Sequence, residues 1–144
     1  MKRSFTLIAA IAVTAMVAGS AQATPRSGAL HVTKECSQYD FSAGSFCTIT
    51  SSNIPQIKPG MRVVYRQAFG QSGLDSDLVI DGPGNNDAFG HVVLDPATLT
   101  GVVTLSGGTG RFTNLDAGPL TVACPAYPAC SWDGPYSFTS GAAE

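Results

Sequence analysis

Hydrophobic and polar residues alternate with a period of two along much of the chain. In residues 61–69, Met61, Val63, Tyr65, Gln67 and Phe69 fall on one side, and Arg62, Val64, Arg66 and Ala68 on the other. Successive side chains leave a strand on opposite faces, so this alternation predicts a half-buried strand. The first set is the more apolar and is expected to face a core. Residues 74–81 repeat the pattern, with Leu74, Ser76, Leu78 and Ile80 opposite Asp75, Asp77, Val79 and Asp81. Residues 81–87 (DGPGNND) carry turn chemistry at every position: glycine for positive φ, proline for fixed φ, Asn and Asp for local capping. Residues 88–94 then form a partner strand, with Phe89, His91 and Val93 on one face. After a turn around Pro96, residues 100–106 are the next strand. Shorter runs predict strands at 30–34, 47–51, 120–124 and 131–139, the last with Trp132, Tyr136 and Phe138 at one parity. Beyond the N-terminal leader, no segment keeps a helical period over three turns. About eight short strands at a spacing of roughly 8–12 residues predict an all-β domain, an antiparallel barrel or sandwich, with a small β-barrel preferred. Closure is favoured because the chain has few lysines to guard an open edge.

Residues 105–122, LSGGTGRFTNLDAGPLTV, interrupt the alternation with Gly107, Gly108 and Gly110 between two β-patterned runs. The cluster superficially resembles a phosphate loop. It lacks the following Lys-Ser/Thr, and a strand rather than a helix comes next, so phosphate binding is disfavoured. A tight turn or bulge where a strand bends to close a barrel explains the glycines better. Arg111 is expected to pair with an Asp and Phe112 to return to the core.

The N-terminus changes the picture of location. Lys2 and Arg3 precede an apolar run at residues 5–17, and Ala21-Gln22-Ala23 supplies the small-x-small pattern of a cleavage site. This predicts a signal peptide over residues 1–23, leaving one domain over 24–144 that is secreted or periplasmic. The run falls short of a comfortable membrane span of about 20 residues. No cysteine follows the cleavage site and Lys2-Arg3 is not a twin arginine, so general export without a lipid anchor is expected. Removing Lys2 and Arg3 leaves six basic against ten acidic residues, a net charge of −4. Without a basic face, a nucleic-acid partner is disfavoured, and no basic amphipathic helix would hold the cleaved chain on a membrane. All four cysteines, Cys36, Cys47, Cys124 and Cys130, lie beyond the leader. An even count in an exported chain predicts disulfides. Of three possible pairings we favour the local ones, Cys36–Cys47 and Cys124–Cys130, because each brackets a loop-like segment. C-x-x-C spacing is absent, which disfavours zinc.

The segment Ser106-Gly-Gly-Thr-Gly-Arg-Phe112 resembles the glycine-rich hairpin of the allene oxide cyclase and dirigent superfamily, more loosely over residues 77–138. The phrase at 45–53, SFCTITSSN, is similar to that of exported bacterial members. The resemblance implies an eight-stranded antiparallel barrel with an apolar lumen. In that superfamily the lumen folds a fatty-acid epoxide for cyclisation, orients phenoxy radicals, or guides polyketide-like cyclisation. It implies no metal or organic cofactor, catalysis being conformational restraint with a few polar groups. After Phe112 the family's small-residue pattern gives way to Thr-Asn-Leu-Asp-Ala-Gly118, and the family's catalytic residues are not carried over.

Candidate chemistry is sparse. His91 is the candidate acid or base by residue type, since imidazole titrates near neutrality, and Asp77 is the second catalytic candidate, as a carboxylate that could act as acid or base in a polar patch inside the lumen. Asp75, Asp77, Asp81 and Asp87 gather carboxylates without the spacing of a calcium loop, so a solvated strand face with turn capping accounts for them. Tyr65, Phe89, Trp132 and Tyr136 are the candidate ligand-binding aromatics, although strand-parity aromatics also make plain core. No nucleophile elbow is present. The expected function is a secreted barrel that binds a small apolar ligand or is structural. The alternative is a cofactor-free cyclase or isomerase acting in the lumen. An open cavity of a few hundred Å³ would favour ligand or enzyme; a lumen filled by side chains would favour a structural role.

Overall fold

The structure, a computed structural model, describes residues 26–139. The expected leader lies outside them. The strands are β1 (Arg26–Glu35), β2 (Phe46–Ser52), β3 (Arg62–Tyr65), β4 (Leu74–Asp81), β5 (Asp87–Leu94), β6 (Thr100–Gly108), β7 (Leu115–Ala126) and β8 (Ala129–Phe138). Each is antiparallel to the next, and β8 pairs back onto β1 from Phe138↔Arg26 to Ala129↔Glu35. The eight-stranded sheet is therefore closed. Closure gives every strand two hydrogen-bonded neighbours and leaves no edge for another chain to extend.

Alternation decides what fills the interior. Val32, Val63, Ile80, Val103, Leu120 and Trp132 all point inward and have no exposed surface. Eight strands enclose a lumen just wide enough for side chains to fill. Asp75, Asp77 and Asp81 occupy the outward parity of β4, as their alternation predicted.

One expected strand is shorter than its pattern. The alternation at 61–69 continues to Phe69, but β3 stops at Tyr65. Two groups intervene beyond it. The backbone of Tyr65 bonds to Gly44 and Ser45 in the Cys36–Cys47 loop. The buried Ser76 hydroxyl accepts the Gln67 N–H at 3.0 Å and donates to the Asp77 carbonyl at 2.7 Å. Arg66 still donates its N–H to the Asp77 carbonyl, but from Gln67 onward side-chain bonds replace the ladder, and Gln67 is exposed rather than in the core. Conversely, β7 is longer than the predicted run at 120–124.

The glycine cluster ends β6, passes through one 3-10 turn at Gly110–Phe112, and returns as β7. It docks onto the 81–87 turn. The Thr109 N–H donates to the Asp87 carbonyl at 2.8 Å, and the Asp87 N–H to Thr109 Oγ1 at 3.0 Å. The Arg111 N–H donates to Asn86 Oδ1 at 2.9 Å, so Arg111 is tied here through its backbone rather than through an Asp. Phe112 is fully buried, as expected. A Cβ on Gly108 would lie 2.0 Å from the Asp87 carbonyl oxygen, which is why this position has no side chain.

The two ends of the barrel differ. Loops 53–61, 82–86 and 109–114 close one end. Loops 36–45, 66–73 and 95–99 and the β7–β8 hairpin crowd the other. Both disulfides, Cys36–Cys47 and Cys124–Cys130, lie at this second end and have the expected local pairing.

Candidate functional site

The disulfide end holds a small apolar cavity of about 40 Å³. Tyr39, Phe41 and Phe69 cover it from the loops, and Leu99 and Tyr127 from the adjoining turns. Tyr39 packs edge-on against Phe41 and Tyr65, with ring centroids 5.1 and 5.3 Å apart, and Phe41 against Phe69 at 5.5 Å. The Cys36–Cys47 bridge pins the loop that carries Tyr39 and Phe41. Phe41 and Tyr127 remain 48% and 43% exposed, forming an apolar rim.

Lys34 lies at the floor of this cavity. On β1 it occupies the inward parity after Leu30 and Val32 and is itself buried. Its ammonium donates to the Tyr65 hydroxyl. Its Nζ also lies 5.2 Å from the Tyr65 ring centroid and 4.8 Å from that of Trp132, within cation–π range. Burial pulls the Lys34 ammonium from its ordinary value down to about 7. Burial also raises Tyr65 far above the usual phenol range, with Tyr39 and Tyr127 adding to the effect. It pushes Tyr39 up to about 12. A dry site disfavours whichever form of each group is charged.

The candidate residues divide between three places. Tyr65 and Trp132 meet Lys34 inside the barrel. Tyr136 is half-buried toward the opposite end, edge-on to Phe138 at 6.1 Å and against Gly28. Phe89 is 43% exposed on the outer face, so the four aromatics expected to bind ligand do not form one cluster. His91 and Asp77 are also outside. They are direct cross-strand partners on β5 and β4.

The outward His91 is saturated. Its Nδ1 donates to Asp77 Oδ1 at 2.9 Å and its Nε2 to Asp75 Oδ1 at 2.6 Å. Both nitrogens donate together only in the imidazolium form. The hydrogen bond to Asp77 is the chief reason the imidazole titrates above its ordinary value; partial burial works against this, and Asp75 adds to it. With no free lone pair, this imidazolium acts as a clamp between two carboxylates. Its ring lies on the outer face of the wall, away from the side chains that fill the lumen.

Lys34, Tyr39 and Tyr127 were not among the residues singled out from the sequence. One signal was available for Lys34: it continues the even-numbered parity of Leu30 and Val32 in an alternating strand. Tyr39 and Tyr127 lie in loops, where parity carries no information.

No protein-family model, curated protein or solved structure matches the chain.

Proposed function

We propose that the chain is an exported binding barrel that takes a small, largely apolar molecule at its disulfide end. The observation that carries this reading is the aromatic-rimmed cavity between the two disulfide-pinned segments, with Phe41 and Tyr127 exposed beside it. Exposed aromatics around a concavity are a common form of small-molecule site. At about 40 Å³ the cavity admits only the end of a ligand, and the rest would lie across the rim. A cyclase working in the body of the barrel needs room for a whole folded substrate, and there the interior is taken by Val32, Ile80, Val103 and Trp132. Binding at the mouth therefore fits better than catalysis within. The two disulfides are consistent with export. A closed eight-stranded antiparallel barrel is also the architecture implied by the resemblance to the allene oxide cyclase and dirigent superfamily.

The test is titration with the neutral fluorophore N-phenyl-1-naphthylamine. Saturable enhancement is expected, weakened about tenfold or more in the double variant Phe41→Ser, Tyr127→Ser. Both residues are exposed, so the barrel should survive the change. No saturable binding, or equal affinity in the double variant, would leave a structural role as the better reading.

A further inference from the structure

The lysines and arginines of residues 24–144 are scattered along the sequence, at positions 26, 34, 58, 62, 66 and 111. Folding gathers half of them at the barrel end opposite the disulfides. There Arg26, Lys58 and Arg111 line one hollow of about 260 Å³, together with Pro55 and Gln56. No Asp or Glu among the described residues lines it. Like charges around one concavity repel each other and attract a negatively charged guest.

Gln56 turns this charged rim into a site. It is only 6% exposed, in a loop whose Ile54 and Ile57 are buried. Its carboxamide makes no hydrogen bond among the described residues, yet neither of its polar atoms is sealed from solvent. The surface that it keeps lies on the hollow. A nearly buried amide has two N–H donors and a carbonyl acceptor to satisfy, and leaving them unbonded is costly. The cations stand on fixed backbone. Lys58 follows the buried Ile57; Arg111 precedes the fully buried Phe112, and its N–H is held by Asn86 Oδ1. Anchors of this kind reduce the ordering that a ligand must impose.

Charge and size narrow the guest. A guanidinium fork matches the oxygens of a carboxylate or a phosphate. A carboxylate brings one negative charge, whereas a phosphomonoester brings about two at neutral pH and suits several cations better. The hollow has room for roughly twenty water-sized groups, enough for a phosphate and a short polyol. None of the large exposed apolar side chains lines it, so a soluble ester suits it better than a membrane surface. We propose that Gln56, Lys58 and Arg111, with Arg26 at the rim, bind a soluble phosphomonoester carried on a small hydroxylated body. Lys58 and Arg111 hold the phosphate oxygens through charge-assisted hydrogen bonds. Gln56 donates to an oxygen of the ester and accepts from a hydroxyl. This site is separate from the disulfide-end cavity and stands whether or not that cavity takes a ligand.

The experiment titrates glycerol phosphate, glycerate and glycerol into the isotope-labelled, disulfide-intact protein at about pH 6.5, in about 100 mM chloride. The side-chain NMR signals of the Gln56 amide and the Arg111 Nε are followed. Glycerol phosphate should shift both saturably, glycerate should bind at least about tenfold more weakly, and glycerol should not bind. Lys58→Gln and Arg111→Gln should each weaken binding by about tenfold or more, the loss of a charge-assisted hydrogen bond. Gln56→Leu should weaken it by about fivefold. Arg66→Gln removes the same charge from the outer wall and should leave binding unchanged. The proposal is overturned if no saturable shift develops up to about 20 mM, if glycerate matches glycerol phosphate, or if the Gln56 amide does not respond. It is equally overturned if Arg66→Gln weakens binding as much as Arg111→Gln, or if phosphatidic acid vesicles bind while glycerol phosphate does not. Should Gln56→Leu fail to fold, the two surface variants and the ligand contrast still decide.

Discussion

Two ionisable residues of the barrel wall, Lys34 on β1 and His91 on β5, meet opposite environments because their side chains leave the sheet on opposite faces. His91 points outward and is clamped by Asp75 and Asp77 in water. Lys34 points inward and has a phenol and two aromatic rings for company. Their titrations move in opposite directions for that reason: paired charge holds a proton on His91, and burial drives one from Lys34. NMR titration of the His91 ring should give a pKa above the ordinary histidine value. Asp77→Asn should bring it down more than Asp75→Asn does, because the Asp77 hydrogen bond is the leading cause. Equal values in parent and Asp77→Asn would show that the clamp does not persist in solution. Since the folded-state value is raised, the clamp's contribution to stability is full below the unfolded value and fades as pH rises through the folded one. Both partners are exposed, so that contribution is small.

At the scale of elements, the two glycine-bearing turns act as one unit. The glycine cluster at the end of β6 and the 81–87 turn before β5 are joined by a backbone bond from Thr109 to Asp87, by the Asp87 N–H donating to the Thr109 hydroxyl, and by Asn86 accepting from Arg111. Gly108 makes the contact possible: a methyl there would stand 2.0 Å from the Asp87 carbonyl and 2.7 Å from the Phe112 Cβ. Both neighbours are held, one by the backbone ladder and the other by full burial of its ring. Gly108→Ala should therefore cost about 2–4 kcal/mol in urea unfolding. Gly107, whose Cβ would meet nothing within 4 Å, has a positive φ of 80°, so Gly107→Ala isolates backbone strain alone and should cost about 1 kcal/mol. Equal costs at the two positions would mean that the docking contact is not what constrains Gly108.

Among the described residues the barrel interior is mostly apolar and filled, and Lys34 is its buried cationic point, under the disulfide loops. That point should dominate the alkaline limb of the stability profile. Lys34 titrates near 7 in the folded chain and about 10.5 when unfolded, so between these values the unfolded chain binds more protons. Stability therefore rises with pH through this window, by an amount on the order of 3–5 kcal/mol. Below it the burial penalty on the ammonium is present in full. Tyr65, Tyr39 and Tyr127 face or adjoin the same cavity and titrate above ordinary phenol when folded. Above about pH 10 the folded chain holds the more protons and stability falls. Urea midpoints measured from pH 6 to 11 should pass through a maximum near pH 9–10. Lys34→Met should flatten the rise and be the more stable protein at pH 6, because an apolar side chain of similar length carries no unpaired charge. A parent profile that is flat from pH 7 to 10 would show that the Lys34 ammonium is solvated after all.

The sequence by itself determined the all-β class, the antiparallel alternation and the faces of most strands, because a period of two assigns each side chain to one side of a sheet. It also indicated the disulfide pairing, since each cysteine pair brackets a short loop. Tertiary structure alone decided where the sheet closed, and so which face of each strand became interior. That Phe89 and His91 share a face was legible, but not that this face is the outer one, nor that the candidate aromatics would separate between the lumen, the outer wall and the far end. Strand length also escaped the pattern where Ser76 and the Cys36–Cys47 loop took the hydrogen bonds that would have extended β3 past Tyr65. Most of all, the meeting of Lys34 with Tyr39 and Tyr65 brings together residues from β1, a disulfide loop and β3. No local rule links positions that only barrel closure and loop docking place around one cavity.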